Sequence, residues 1–411
     1  MKNKIGIYLD LKKVGNWDWQ SFLNGDVGMS GTDGQSLLLV NDLSEFYDVY
    51  LFSNTDIKEY KGIRATKVTD AEEAAALARQ LELKVLILND HSDEATIKAI
   101  NKLEELKQPF ILWDHNGPTA SFETILAGTH SLKRIVCVSK AQANWHRHRR
   151  FFSKVTYIYN GQDYPLKNIK EKKSAHNIGY LGAVSESKGF HWVAKAWPQI
   201  KQAFPDATLT VIGSIKTHNK NSQTGEFGIA IPEFEDKYIK PYLGNTLDEI
   251  NKNGVNFTGH ISPNEMPSYM DKLDLGVVNP NMDGSNETFC VSAIDFQANG
   301  VPVIGASAGG LTETVNNGKT GILINDSNKL ADAVIKLLND KEKLLFLSRN
   351  GNNWVRQNFS RAGICERWRN LIEDVIDDKE NEGVNFNLSD ISVKLLAKEA
   401  IRIKNKFTRL K

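Results

Sequence analysis

Residues 283–315 read DGSNETFCVSAIDFQANGVPVIGASAGGLTETV, and the fold turns on how this stretch is parsed. A Gly/Ser/Asn turn leads into a helix expected to begin near Thr288. A short apolar strand follows at Val301–Ile304, and a Gly-Gly loop closes the unit. The first backbone N–H groups of such a helix, around Phe289, Cys290 and Val291, have no intrahelical partners. A helix start of this kind suits a phosphate, at ~0.3–1 kcal/mol per charge and more where partly buried. Glu287 stands just before the helix, where its carboxylate can accept hydrogen bonds from sugar hydroxyls. Asp295 follows roughly two turns along, within reach of a ribose diol. Taken alone, the two acids read as a helix-start carboxylate and a solvated mid-helix acid.

Working outward, short runs rich in Val, Ile and Leu alternate with amphipathic stretches along the whole chain. In the first half, strands are expected at Ile5–Leu9, Val49–Phe52, Val85–Leu88, Phe110–Trp113, Arg134–Val138 and Val155–Tyr159. Helical patterns lie between them at Asp70–Gln80 and Glu94–Leu106. The polar, basic segment Lys167–Asn177 (KNIKEKKSAHN) has a linker's composition and marks a domain boundary. The pattern then restarts with strand Ile178–Leu181, helix His191–Ala203 and strand Thr208–Ile212. Further strands are expected at Val255–Phe257, Leu275–Val278, Val301–Ile304 and Gly321–Ile324. Continuous apolar strands separated by helices imply parallel sheets covered on both faces. The chain therefore reads as α/β, with two Rossmann-like domains facing each other across a cleft, and ligands of such sheets bind beyond the strands' carboxyl ends. The domains are placed at 1–166 and 178–360. Residues 361–411 form a C-terminal helical segment that could pack back on the N-terminal domain. The polar insert Ser214–Gly254 either caps the cleft or decorates the surface.

Bulk properties remove several classes of function. A net charge of +1 over 411 residues lacks the broad basic excess of a nucleic-acid binder. The three cysteines, Cys137, Cys290 and Cys365, are far apart and odd in number, which suits neither a disulfide framework nor a metal site. No run approaches the ~20 apolar residues of a membrane span. The opening MKNKIGIYLDL reads as a first strand rather than a signal peptide, so a cytoplasmic setting is expected.

With this frame in place, the 283–315 block resembles the signature of the retaining GT-B glycosyltransferases of family 4 (glycosyl transferases group 1). The family pattern E-S-F-G-x-x-x-x-E-A-M-A-x-G-x-P-V-V is met here by E-T-F-C-V-S-A-I-D-F-Q-A-N-G-V-P-V-I. The following A-G-G-L-T-E-T-V is similar to its G-G-L-x-E-x-V loop. The resemblance implies that Glu287 contacts the donor sugar and Asp295 the ribose. Gly182–Gly189 (GAVSESKG) resembles the G-R-L-S-P-E-K-G turn, which implies that Gly182 lets the backbone approach the donor and that Lys188 grips its diphosphate. Val211–Gly213 resembles the strand end that borders the base. Asn256–Met270 resembles the F-x-G-x-x-x-x-x-E-L-x-x-x-Y segment, and Asn279–Pro280 the P-S turn.

The first half matches more loosely. Gly28–Gln35 (GMSGTDGQ), with Gly31 at its centre, resembles the Gly-rich loop whose backbone faces the donor phosphates. Trp113–Pro118 (WDHNGP) places His115 where the family has its active-site His. Val138–Lys140 and Asn160–Asp163 resemble the V-S and N-G-x-D elements. Three residues depart from the pattern: Asp295 replaces a Glu, Cys290 a Gly, and Ala183 the Arg that partners the diphosphate lysine. Such a charge-assisted contact is worth ~1.5–3 kcal/mol, so another cation is expected in its place.

The resemblance implies transfer of a sugar from a nucleoside diphosphate sugar, a UDP- or GDP-sugar, to an acceptor hydroxyl with retention. The pathway expected is polysaccharide or glycolipid synthesis, with a saccharide or lipid-linked acceptor. No Asp-x-Asp motif lies in a suitable loop, so no metal is expected. Two other readings stand beside it: an inactive GT-B-like partner subunit, and a sugar-nucleotide epimerase of the same architecture. The aromatic and basic run Trp145–Phe152 (WHRHRRFF) lies where the fold binds acceptors. The tail Asp390–Lys411 sets Ile391, Leu395, Ile403, Phe407 and Leu410 among seven Lys and Arg. It reads equally as a solvated helix or as an interfacial helix making peripheral membrane contact.

Overall fold

The computed structural model describes residues 2–385 except 13, 15–16, 90–92, 118–121, 164–166, 168, 170–175, 214–222 and 283–286. Outside the described residues lie the tail 390–411, most of the linker, the first part of the insert, Pro118 and the turn at 283–286.

Two parallel sheets form the molecule. The N-terminal sheet contains β1 (Lys4–Leu9), β2 (Asp48–Ser53), β3 (Arg64–Lys67), β4 (Val85–Asn89), β5 (Phe110–Asp114), β6 (Leu132–Cys137) and β7 (Val155–Tyr157). Its spatial order is β3-β2-β1-β4-β5-β6-β7. Between these strands run α1 (Trp19–Leu23), α2 (Gly31–Leu43), α3 (Ala71–Gln80), α4 (Glu94–Glu105), α5 (Phe122–Gly128) and α6 (Lys140–Trp145). The C-terminal sheet contains β8 (Asn177–Leu181), β9 (Thr208–Ile212), β10 (Val255–Gly259), β11 (Leu275–Val278), β12 (Val303–Ala306) and β13 (Gly321–Ile324). They lie in the order β10-β9-β8-β11-β12-β13. Around them are α7 (Phe190–Ala203), α8 (Pro232–Phe234), α9 (Lys240–Leu243), α10 (Leu247–Lys252), α11 (Met266–Met270), α12 (Val291–Ala298), α13 (Leu311–Thr314), α14 (Leu330–Leu338) and α15 (Lys341–Asn358). A last helix, α16 (Arg361–Ile376), follows.

The strands form where the sequence is apolar on both faces. In β4 (VLILN) and β5 (FILWD) every residue is buried, which is what helices on either side of a parallel sheet demand. Helices begin where a short polar side chain caps the free amides: Asp70 accepts from Glu72 and Glu73 N–H before α3, and Asp93 from Thr96 N–H before α4. Strand β3 (RATK) was not anticipated, because it is a half-exposed edge strand with no apolar run. The strand expected at Val301–Ile304 instead occupies Val303–Ala306, after Pro302, whose carbonyl accepts from Gly276 N–H.

The strand order reverses between β1 and β4 in one sheet and between β8 and β11 in the other. A crevice opens at such a reversal, beyond the carboxyl ends of the strands. The chain after α15 returns to the first domain. Trp368, Ile372 and Val375 of α16 join the core formed by Ile5, Ile7 and Leu37. Burying each stabilises by ~1.5–3 kcal/mol. Arg361 pairs with Asp42 of α2, and Tyr47 Oη donates to Glu373 at 2.6 Å. The same core takes in Phe289, Ile294 and Ala298 from the C-terminal domain, so an apolar seam joins the two. Among the described residues, no helix is long and apolar enough to cross a membrane.

Candidate functional site

The crevice between β8 and β11 is lined by the two loops that follow them. After β8, the segment Gly182–Gly189 folds over the phenol of Tyr180, whose Oη donates to the Ala183 and Lys188 carbonyls at 3.0 and 2.8 Å. Burial, reinforced by Glu287 and Cys290, pushes the Tyr180 pKa well up, so the phenol remains a donor. Gly189 ends the loop with φ +74°, and a Cβ there would meet Pro280 Cδ at 2.7 Å. Only glycine allows the Lys188 loop to approach the β11 loop this closely. Helix α7 starts at the next residue.

On the facing side, Asn279 follows β11. Lys188 Nζ lies 3.0 Å from Glu287 Oε2, and Asn279 Nδ2 donates to the same oxygen at 2.9 Å. The Glu287 side chain is 6% exposed and that of Lys188 38%, so the carboxylate is sunk and the lysine beside it is only partly covered. Burial works against the charge on Lys188, but Glu287 more than offsets this and raises its pKa. The cluster is charged at neutral pH on the lysine side and offers a cation to an incoming anion. Lys188 and Glu287, 99 positions apart, are therefore brought together, as their separate motifs imply.

The other expected residues fall around this pair. Gly182 N–H donates to the Ile212 carbonyl and Gly213 N–H to that of Gly259, at 3.0 and 2.8 Å, which aligns the ends of β8, β9 and β10. Gly31 opens α2 behind its cap Ser30, and a Cβ on it would stand 3.9 Å from Val291 Cγ2. The starts of α2 and α12 thus meet across the domain seam. The α12 start differs from expectation. The helix begins at Val291, with Cys290 as its cap, rather than near Thr288. Asp295 is therefore about one turn into the helix, half-buried, instead of two. The physical reason is Phe289, whose ring turns away to stack on Tyr159 at 5.7 Å and 27°. Cys290 is buried in an apolar cluster with Met270 and Leu273, and burial pushes its thiol pKa up.

His115 is 3% exposed and its ring lies 4.7 Å from that of Trp113, which meets Trp368 at 4.9 Å. Its neighbour Asp114 takes His146 Nε2 at 3.1 Å and accepts from Asn116 N–H at 3.1 Å. The Sγ of Cys137, opposite Asp114 in the sheet, lies 3.9 Å from the same carboxylate oxygen. These three groups could in principle ligate a metal. All are buried, and burial followed by the Asp114 charge raises the Cys137 pKa, which favours the thiol over a ligating thiolate. Within the basic run, His146 is thus committed to Asp114, Arg149 pairs with Glu123 at 2.8 Å, and Phe151 is buried. Trp145 stays half-buried, and His148 and Arg150 are exposed.

Four participants carried no functional expectation: Asn279, Tyr180, Tyr159 and Tyr238. The described part of the insert packs on α7, and Tyr238 Oη donates to Glu186 Oε1 at 2.6 Å, bracing the Lys188 loop. Inside the insert, Glu235 accepts the Phe227, Ile229 and Ala230 amides. An aromatic in a polar insert is the one signal that could have pointed there.

Residues 175–340 match the family model described as Glycosyl transferases group 1. The capsular polysaccharide biosynthesis glycosyltransferase CapM of Staphylococcus aureus is 26% identical over 231 residues, covering 54% of this chain and 53% of CapM. The D-inositol 3-phosphate glycosyltransferase of Corynebacterium kroppenstedtii is 29% identical over 202 residues, 48% of this chain and 40% of that one. The chain spans about half the length of the curated relatives it matches. Among solved structures, sucrose-phosphate synthase from Thermosynechococcus elongatus has a TM-score of 0.70 at 17% identity, covering 92% of this chain and 100% of that one. Anabaena HepE in complex with UDP and glucose has a TM-score of 0.63 at 17% identity, covering 90% and 100%. At that identity the likeness is one of fold: two Rossmann-like domains in the GT-B arrangement.

Proposed function

We propose that this chain, a member of the glycosyl transferases group 1 family through residues 175–340, moves a sugar from a nucleoside diphosphate sugar to an acceptor hydroxyl with retention of configuration. The observation that carries the reading is the Lys188–Glu287–Asn279 cluster at the β8/β11 reversal, beside the converging starts of α2 and α12. Such a place suits a diphosphate, which would draw Lys188 off Glu287 and leave that carboxylate to accept from sugar hydroxyls. Asp295 takes the ribose, Gly182 and Gly213 border the nucleotide, and His115 lies toward the sugar.

In the transfer, the acceptor oxygen bonds to the anomeric carbon as the bond from that carbon to the diphosphate oxygen breaks. The acceptor's proton passes to the departing diphosphate. The protein supplies positioning and stabilises the leaving charge through Lys188 and the amides at Val291, with no metal required. The acceptor is a saccharide or a lipid-linked glycan; its partner relatives in name act on capsular polysaccharide and lipopolysaccharide. UDP is the first nucleotide to test, since HepE was solved with it. The intact Lys188–Glu287 pair favours an enzyme over an inactive subunit.

The test is product analysis with UDP- and GDP-sugars, with and without saccharide acceptors. The expected result is acceptor-dependent release of nucleoside diphosphate, abolished in Glu287→Ala. Epimerised donor without acceptor dependence would replace this reading with the epimerase.

A further inference from the structure

Glu313 lies outside the crevice, in α13, yet among the described residues the hydrogen bonds to its side chain come from the other domain. Its carboxylate accepts from Lys140 N–H at 2.9 Å, from Ala141 N–H at 2.6 Å and from Tyr159 Oη at 2.8 Å. Lys140 and Ala141 open α6, behind the cap Ser139, where amides have no intrahelical acceptor. We infer that Glu313 is a positioning residue: by clasping the N-terminal domain it sets the donor site from outside, a role that rests on the function proposed above.

Two connections lead from Glu313 to Glu287. The first is backbone. Gly310 N–H donates to the Glu287 carbonyl at 2.8 Å, and a Cβ on Gly309 would come within 2.2 Å of that oxygen. Because both positions are glycine, the segment ending in Glu313 lies directly on the Glu287 backbone. The second is aromatic. Tyr159, held by Glu313, stacks on Phe289, two residues beyond Glu287, and Phe289 in turn meets Phe359 at 5.6 Å. If the domains part, the three hydrogen bonds and the stack are lost together, and Glu287 loses support on both sides. Packing alone would be served by an apolar residue here. Burial of Glu313 raises its pKa and the cross-domain donors pull it back only in part, so the carboxylate is held there at a cost that an apolar side chain would not incur.

Opening lowers the fraction of molecules competent to bind donor, and the apparent Kd rises in proportion. The experiment compares full-length wild type, Glu313→Ala, Glu313→Gln and Tyr159→Phe by small-angle scattering, UDP and GDP titration, and donor kinetics. The expected result for Glu313→Ala is a larger radius of gyration, a donor KM and nucleotide Kd raised roughly tenfold, and a kcat at saturating donor close to wild type. Tyr159→Phe should move the same way by less. Wild-type scattering and wild-type Kd in the variants would overturn the inference, as would a lost kcat at unchanged KM. Should Glu313→Ala not fold, Glu313→Gln and Tyr159→Phe decide by the same criteria. If wild type binds no nucleotide, the proposed function falls; the scattering comparison still judges the clasp, and unchanged dimensions overturn it.

Discussion

Each sheet ends in a buried carboxylate joined to a nitrogen-bearing side chain, and the two pairs differ in what surrounds them. Asp114, the last residue of β5, meets His146 with side chains 0% and 5% exposed, and Cys137 Sγ lies beside it. Glu287 meets Lys188 at the β8/β11 reversal, where the lysine is 38% exposed and stands between two loops. The first pair is buried on both sides, so its hydrogen bonds serve the fold. The second pair has one partner facing the crevice, so an anion can compete for it. On the function proposed above, the same chemistry is structural in the sealed pair and binds a ligand in the half-open one, which lies where the strand order reverses.

That contrast can be broken by substitution. Glu287→Ala should lower transfer by about three orders of magnitude, the scale of lost transition-state contacts, with a smaller loss of thermal stability than Asp114→Ala, because it leaves only Lys188 and Asn279 Nδ2 without their acceptor. A large loss of stability in that variant would merge the two pairs into one class. Asp114→Ala should do the reverse. It strands His146 and the Asn116 and Gly117 amides, at about 3 kcal/mol of unfolding free energy in denaturant melts, with nucleotide affinity retained in the folded protein. Lys188→Ala should weaken nucleotide binding by ~1.5–3 kcal/mol, read by calorimetry, without shifting the melting temperature much.

The smallest effect concerns Glu104, a carboxylate outside both pairs that accepts from Ser131 N–H. Partial burial raises its pKa, but hydrogen bonds from Ser131 and His130 outweigh this and hold it at about 2, against an ordinary 4.5. Its folded pKa is depressed, so its contribution is present above pH ~4.5 and lost as pH falls toward ~2. Acid titration of stability should be shallower across that window in Glu104→Gln.

Much of this architecture was legible because parallel strands are buried on both faces. FILWD and VLILN can be read from apolarity alone, and Asp70 and Asp93 announce their helices. The edge strand RATK could not be read, since its two ends are exposed and its residues follow no apolar pattern. The α12 start was misplaced because Phe289 and Cys290 fit a helical period, while the pull of Tyr159 on Phe289 comes from the other domain. Lys188 and Glu287 were each legible from local motifs, but their contact spans 99 positions and only the fold supplies it. Glu313 carried no role in the G-G-L-T-E-T-V loop, because the donors to its side chain among the described residues lie more than 150 positions away.

The central claim is that the β8/β11 crevice holds a nucleoside diphosphate through Lys188. Titrating wild type and Lys188→Ala with UDP, GDP and ADP in a thermal-shift experiment tests it most directly. The expected result is saturable stabilisation of wild type by one of the three and at least tenfold weaker binding in the variant. No stabilisation by any nucleotide, or equal stabilisation of both proteins, would contradict it.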